Sequence, residues 1–477
     1  MKSLNGYEVV IGLEIHVEVD TQTKLFCSCS REYGRDPNTQ VCPVCLGYPG
    51  ALPVLNEEVV IQGLKVARAL RSRINEVSQF FRKNYFYPDL PKGYQITQYT
   101  FSLAEDGHLE YQFEGSPRRV RVERINIEEE AAKSFHTEDG YTLLDFNRSG
   151  IPLLEIVTRP DLRSPAEART FLAKLRQLIR YLEVSPCDME KGHLRADANL
   201  SVHRPGEPLG TKVEIKNLNS FKALEDALTY EAQRQIQVLE AGGKVVQETR
   251  LFDESTGQTV AMRTKEEEMD YRYFPEPDLL PLNVTAYLNR FELPELPWEK
   301  SARFVREYGL REDVAEVLTQ ERALADYFEE MVRDLKDIAQ AANWLVNRVL
   351  ADIKERSLEE FPIRPSQMAE LLSLVESGRI TLNLAKDVYE RMLQEGRSAR
   401  DIVESEGLEV VSAEEELQKF VAEAVEENPD LVAKFRKGKE GVIGPLIGAV
   451  MKKTRGKADP KRVRELLLKA LRGGSGA

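Results

Sequence analysis

The feature that most constrains the fold of this chain is a change of period near residue 292. Up to about residue 290, apolar and polar residues alternate in short runs bounded by turn residues, the pattern of half-buried strands, with a few helices between them. From Trp298 onward the apolar spacing is helical almost throughout. Between the two lies Glu292-Leu293-Pro294-Glu295-Leu296-Pro297, whose prolines oppose regular structure. The expected fold class is therefore an α+β domain followed by all-α domains. A chain of 477 residues is long enough for two or three separate cores. The expected division is 1–292, 293–411 and 412–477.

Local signals place individual helices. Ser164-Pro165-Ala166-Glu167 combines a capping serine, a proline at the first helical position and a glutamate at the third, and predicts a helix to about Leu182. A second helix is predicted from Phe221 to about Glu240, stopped at Gly242-Gly243. Ser412-Ala413-Glu414-Glu415 marks the start of the last unit. The longest apolar stretches fall short of the eighteen or more residues that cross a bilayer, and the opening residues lack the pattern of a secretory signal. A cytoplasmic location is expected.

Four of the five cysteines crowd between Cys27 and Cys45, too few and too clustered for a disulfide scaffold. Cys27-Ser28-Cys29 and Cys42-Pro43-Val44-Cys45 have the spacing of two zinc knuckles that converge as four thiolates. Four reduced structural cysteines are the alternative. Four protein ligands leave no open position, so a zinc ion held there is structural. Cys187 stands apart and reads as a small buried filler.

In the first strand pattern, Val9 to Val19, Leu13, Ile15, Val17 and Val19 face one way while Glu14, His16 and Glu18 face the other. Carboxylates bracketing an imidazole suit Mg²⁺ or Mn²⁺, although a solvated strand face gives the same alternation. Glu155 interrupts the apolar run Ile151 to Val157, where a charge is costly unless paired or bound to a cation. Glu128-Glu129-Glu130 concentrates like charges that a divalent ion relieves, and periodicity does not choose among the three. Asp197, Asn199, Ser201 and His203 form another one-sided polar strand, as do Lys212, Glu214 and Lys216. Acids for a metal and cations for phosphate are what phosphoryl transfer requires. No Gly-x-x-x-x-Gly-Lys-Ser/Thr motif is present, so a nucleotide site here is not a P-loop.

Arg82-Lys83-Asn84-Tyr85-Phe86-Tyr87 and Tyr271-Arg272-Tyr273-Phe274 interleave cations with rings, which suits stacking on a base and equally suits filling a core. The formal net charge of −13 is unevenly spread: Lys434 to Arg472 holds 13 Lys or Arg against three acids, leaving −23 on the rest. Such a basic end neutralises phosphates without reading bases, which points to RNA.

Together these residues resemble the B subunits of the tRNA-dependent amidotransferases. The resemblance runs nearly end to end through VIGLEIHVE, RKNYFYPDLPKGYQITQ, LLDFNRSGIPLLEIV, LRADANLSV, TKVEIKNLNSF, DYRYFPEPDL and GVIGPLIGAVMKKTRGKADP. It implies a cradle-like first domain similar to glutamine synthetase, then a helical domain and a tRNA-gripping tail. It implies ATP-dependent phosphorylation of the side-chain carboxylate of Glu or Asp misacylated onto tRNA(Gln) or tRNA(Asn), then amidation by ammonia. An amidase subunit that releases the ammonia from glutamine and a small linking subunit complete the implied heterotrimer. The resemblance further implies Mg²⁺ held by His16, Glu129 and Glu155 with Glu14 adjacent, favouring Glu129 over its neighbours. Lys83, Tyr85, Arg195 and Lys216 are the candidate ATP contacts. This chain departs from the family pattern at Asn126, often His, and at Ala196 within Leu194-Arg195-Ala196-Asp197, often Cys. A zinc-containing tRNA-binding scaffold without an active centre is the competing expectation.

Overall fold

The computed structural model describes the chain except residues 1–3, 263–269, 357, 359, 409–413, 437–438, 455–457 and 474–477. Ser412, Ala413, Lys437, Arg455, Lys457 and the C-terminal Gly474-Ser475-Gly476 thus lie outside the described residues. Two compact units divide the chain, Met1–Pro297 and Trp298–Ala477.

Among the described residues of the first unit, nine strands form one sheet. Across it, in order, lie Gln258–Ala261, Thr249–Asp253, Val213–Leu218, Leu194–His203, Glu8–Glu18, Pro152–Thr158, Ser116–Glu129, Ala104–Phe113 and Arg73–Ile74. Neighbours run antiparallel except Val213–Leu218 beside Thr249–Asp253. The central strand, Glu8–Glu18, turns Leu13, Ile15 and Val17 into the core. Period two then sends Glu14 and His16 to the opposite face.

Helices Glu57–Ala69, Pro165–Tyr181 and Phe221–Glu240 pack on the sheet and cover the apolar face. Their starts follow from the sequence: Ser164 Oγ accepts the Glu167 amide, Glu167 accepts the Arg163 amide in return, and Ser220 Oγ accepts the Ala223 amide. Each such cap is worth about 1 kcal/mol. Gly63, in a helix interior where glycine is otherwise unfavourable, permits close approach to the sheet, since a Cβ there would sit 2.7 Å from Leu103 Cδ2.

A smaller sheet of Phe274–Pro275, Phe80–Asn84 and Tyr94–Gln98 lines the cleft beside the large one. Arg82 ties it together, holding the buried Glu276 carboxylate through two hydrogen bonds of 2.6 and 2.9 Å.

The second unit is helical. Its described residues hold two separate apolar clusters, one from Phe304 to Val403 and one from Leu417 to Leu471. The architecture is thus an α+β domain followed by a helical region. No helix of the described residues is long and apolar enough to cross a membrane.

Candidate active site

The sheet's second face is polar because its register lines up one row of functional side chains. Arg195 stands opposite His16, His16 opposite Glu155, and Glu155 opposite Asn126, each on the next strand over. Residues directly opposite in antiparallel strands point to the same face. Asp197 sits likewise beside Glu14. The row forms the floor of a cavity of about 520 Å³, whose lining includes Lys83, Tyr85, Thr97, Tyr99, Lys216 and Tyr273.

At the floor, ligand atoms of Glu14, His16 and Glu155 all lie within 4.8 Å of one another. His16 Nε2 is 3.2 Å from Glu128 and 3.8 Å from Glu14. Burial opposes charge on His16, yet the hydrogen bond and charge of Glu128 raise its pKa to about 9. Burial likewise opposes the Glu128 carboxylate, and its bond to His16 nevertheless holds it below the ordinary range. Burial first, then the Glu128 and Glu14 charges, push Glu155 above the ordinary range, although Asn126 Nδ2 donates to it at 2.9 Å. Three carboxylates thus crowd one imidazole, and the buried Asn126 Oδ1 has no hydrogen-bond partner. Hard oxygen donors in negative excess, with an unsatisfied amide oxygen beside them, fit a divalent cation. Such an ion has to displace the His16 proton, because only the neutral ring is a ligand.

The strand from Ser116 runs through Glu129, which settles the acidic run by parity. Asn126, Glu128 and Glu130 line the cavity. Glu129 turns to the other side, where its carboxylate accepts from Lys92 and from the Ile96 amide at 2.9 Å. The expectation that Glu129 approaches His16 is therefore corrected: a side-chain period of two places its neighbour Glu128 there. Thr97 Oγ1 donates to Glu128 at 3.1 Å, fixing that carboxylate from the smaller sheet.

The candidate ATP contacts all line the cavity. Lys83 Nζ lies 4.8 Å from the Tyr271 ring centroid, and Tyr85 meets that ring edge-on. Lys216 Nζ is 3.3 Å from Asp197 and 3.4 Å from Glu214, and these charges offset the cost of burial and raise its pKa. Arg195 pairs with Glu130, which Arg148 also contacts at 3.3 Å. Lys212 precedes its strand and does not line the cavity, and Ser201 and His203 lie farther along theirs. Arg124, Asn126, Thr97 and Tyr99 join the site without having been singled out for it. For Arg124 and Asn126, strand parity with Glu128 was the available signal.

Beside this cavity the four clustered cysteines bring their sulfurs within 4.8 Å of one another. The Cys27 thiol, together with the nearby Lys24 charge, lowers Cys45 to about 4 against the cost of burial. Lys24 is fully buried, with Nζ 3.7 Å from Cys45 Sγ and 3.2 Å from the Phe146 carbonyl. The buried Lys24 side chain against Cys45 favours thiolate at that sulfur, which suits a tetrahedral zinc ion held by the four cysteines. Cys187 is buried and remote from this cluster, and burial pushes its thiol up to about 11.

Comparison with known proteins agrees over nearly the whole chain. A family model described as the GatB/GatE catalytic domain matches residues 9–289, and one described as the GatB domain matches residues 326–471. The aspartyl/glutamyl-tRNA(Asn/Gln) amidotransferase B subunit of Thermodesulfovibrio yellowstonii is 48% identical over 472 residues, 98% of this chain and 99% of the relative. The corresponding B subunits of Persephonella marina and Moorella thermoacetica are 48% and 49% identical, each over 98% of this chain and 100% of their own length.

Proposed function

Because the chain belongs to the family of aspartyl/glutamyl-tRNA(Asn/Gln) amidotransferase B subunits, we propose that it activates and amidates the side-chain carboxylate of Glu-tRNA(Gln) or Asp-tRNA(Asn). The observation that carries this reading is the cavity floor, where Glu14, His16 and Glu155 converge in a cavity that Lys83, Arg195 and Lys216 also line. In the proposed reaction a carboxylate oxygen attacks the γ-phosphorus of ATP and ADP leaves. Ammonia then attacks the acyl carbon, phosphate departs with its electron pair, and the nitrogen sheds a proton to give the amide.

Glu14, His16 and Glu155, with Glu128 in place of the expected Glu129, are the residues to hold Mg²⁺. Such an ion supplies positive charge against the phosphoryl oxygens. Lys83, Arg195 and Lys216 orient the phosphates, Arg195 and Lys216 exchanging their present carboxylate partners for phosphate oxygens. Tyr85 walls the cavity next to Lys83. The four cysteines brace the domain through zinc, and the whole first domain acts as a cradle similar to glutamine synthetase. Ammonia comes from a glutaminase subunit held by a small linking subunit, and the basic residues of the tail, 412–477, hold the tRNA.

The test replaces Glu155 with Gln and measures ATP hydrolysis that depends on misacylated tRNA, with free ammonia as nitrogen donor so that glutaminase activity is bypassed. A loss of turnover of two orders of magnitude or more, on the order of 3 kcal/mol of transition-state stabilisation, is expected. Unchanged turnover refutes the catalytic reading and leaves a tRNA-binding scaffold.

A further inference from the structure

The ring pair Tyr99–Tyr273 has no part in the chemistry proposed above, yet both residues line the same cavity. Their centroids are 4.2 Å apart and their planes differ by 2°, a stacked arrangement. Two further rings pack against the pair. Phe81 meets Tyr99 edge-on at 6.1 Å, and Tyr271 meets Tyr273 edge-on at 6.0 Å. Tyr99 nevertheless keeps 53% of its surface exposed, and Phe101 and Phe274 stay exposed at 48% and 42%. Core filling does not account for a fixed, coplanar pair that leaves one ring half in solvent beside a polar cavity.

We propose that Tyr99 and Tyr273 form a stacking platform for an adenine ring, which extends the stack on the exposed tyrosine while its sugar and phosphates run toward Lys83 and the acidic floor. Every base has a π-face, and a rigid tyrosine receives it at little entropic cost. Lys83 lies on the same strand, Phe80–Asn84, that supplies Phe81 to the platform, so ring and phosphate contacts share one scaffold. The proposal rests on the amidotransferase reading, which brings two adenosines to this cavity: that of ATP and the one that ends every tRNA. Both offer the same chemistry, and the experiment separates them.

The assembled amidotransferase carrying the full-length chain is prepared with Tyr99→Leu, Tyr273→Leu, Tyr99→Phe and Tyr273→Phe. Melting temperature serves as the check on folding. Dissociation constants are measured for ATP alone and for uncharged tRNA(Gln) with and without its terminal adenosine. Loss of stacking predicts about tenfold weaker binding in the leucine variants. The phenylalanine variants, which keep the ring, stay within about twofold of the parent. If ATP binding weakens, the platform serves the nucleotide. If the parent loses affinity on removal of the terminal adenosine and Tyr99→Leu does not, it serves the tRNA end. Parent-like binding of ATP and intact tRNA by both leucine variants overturns the proposal, as does a phenylalanine variant as weak as its leucine counterpart. Failure of this kind alongside an inactive Glu155→Gln enzyme leaves the amidotransferase reading standing by itself.

Discussion

At the scale of single residues, the informative contrast is between Glu128 and Glu129, adjacent in sequence and opposed in direction. One faces the imidazole of His16, while the other takes Lys92 and the Ile96 amide on the far side of the strand. Glu128→Gln should therefore raise the Mg²⁺ concentration needed for half-maximal ATP turnover at least tenfold, whereas Glu129→Gln should leave it within about twofold. Equal shifts in a magnesium titration of the two variants would return Glu129 to the ion. Glu14, His16 and Glu155 were legible beforehand, because each breaks or alternates with an apolar run whose phase is plain. The acidic run was not, since three consecutive carboxylates have no internal period. Phase had to be carried in from Ile125 and Ile127, which are buried, and Asn126, which faces the cleft. Tyr99 was missed for another reason: its significance lies in a stack with Tyr273, far away in sequence, and pairing of that kind leaves no local signature.

Among the elements, the cysteine knuckles make the sharpest prediction. Cys42 and Cys45 lie in a segment without regular strand or helix, so the turn has little of its own to hold it. Metal analysis of the purified chain should find about one zinc per molecule, and none after Cys42→Ser and Cys45→Ser are combined. Zinc retained by the double variant would remove these residues from the ligand set. The helices were well signalled. Ser164 and Ser220 cap Pro165–Tyr181 and Phe221–Glu240 at the positions their side chains require. The smaller sheet was harder to read, because its strands are short and its edge partner, Phe274–Pro275, comes nearly two hundred residues after Phe80–Asn84. Only tertiary structure brings such strands together.

For the whole molecule, the uneven charge becomes an argument about binding. The cluster from Leu417 to Leu471 has an apolar interior separate from that of Phe304 to Val403. Deleting 412–477 should thus leave the preceding core intact while weakening tRNA binding, and the remaining affinity should fall less steeply with salt because fewer phosphates are neutralised. Equal affinity and an equal salt slope in the truncated protein would place the tRNA contacts elsewhere.

The row from Arg195 through His16 and Glu155 to Asn126 also says something about time. Its members come from four strands that are neighbours in space but spread over about 180 residues of chain, with His16 made first and Arg195 last. Lys216 follows later still. A growing polypeptide therefore carries no complete row until well over two hundred residues have left the ribosome, and unfinished chains lack the apparatus proposed to consume ATP. Pairings so distant in sequence also form slowly, because loop closure precedes any gain from contact. The first domain thus matures as a unit, its chemistry arriving with its last strands.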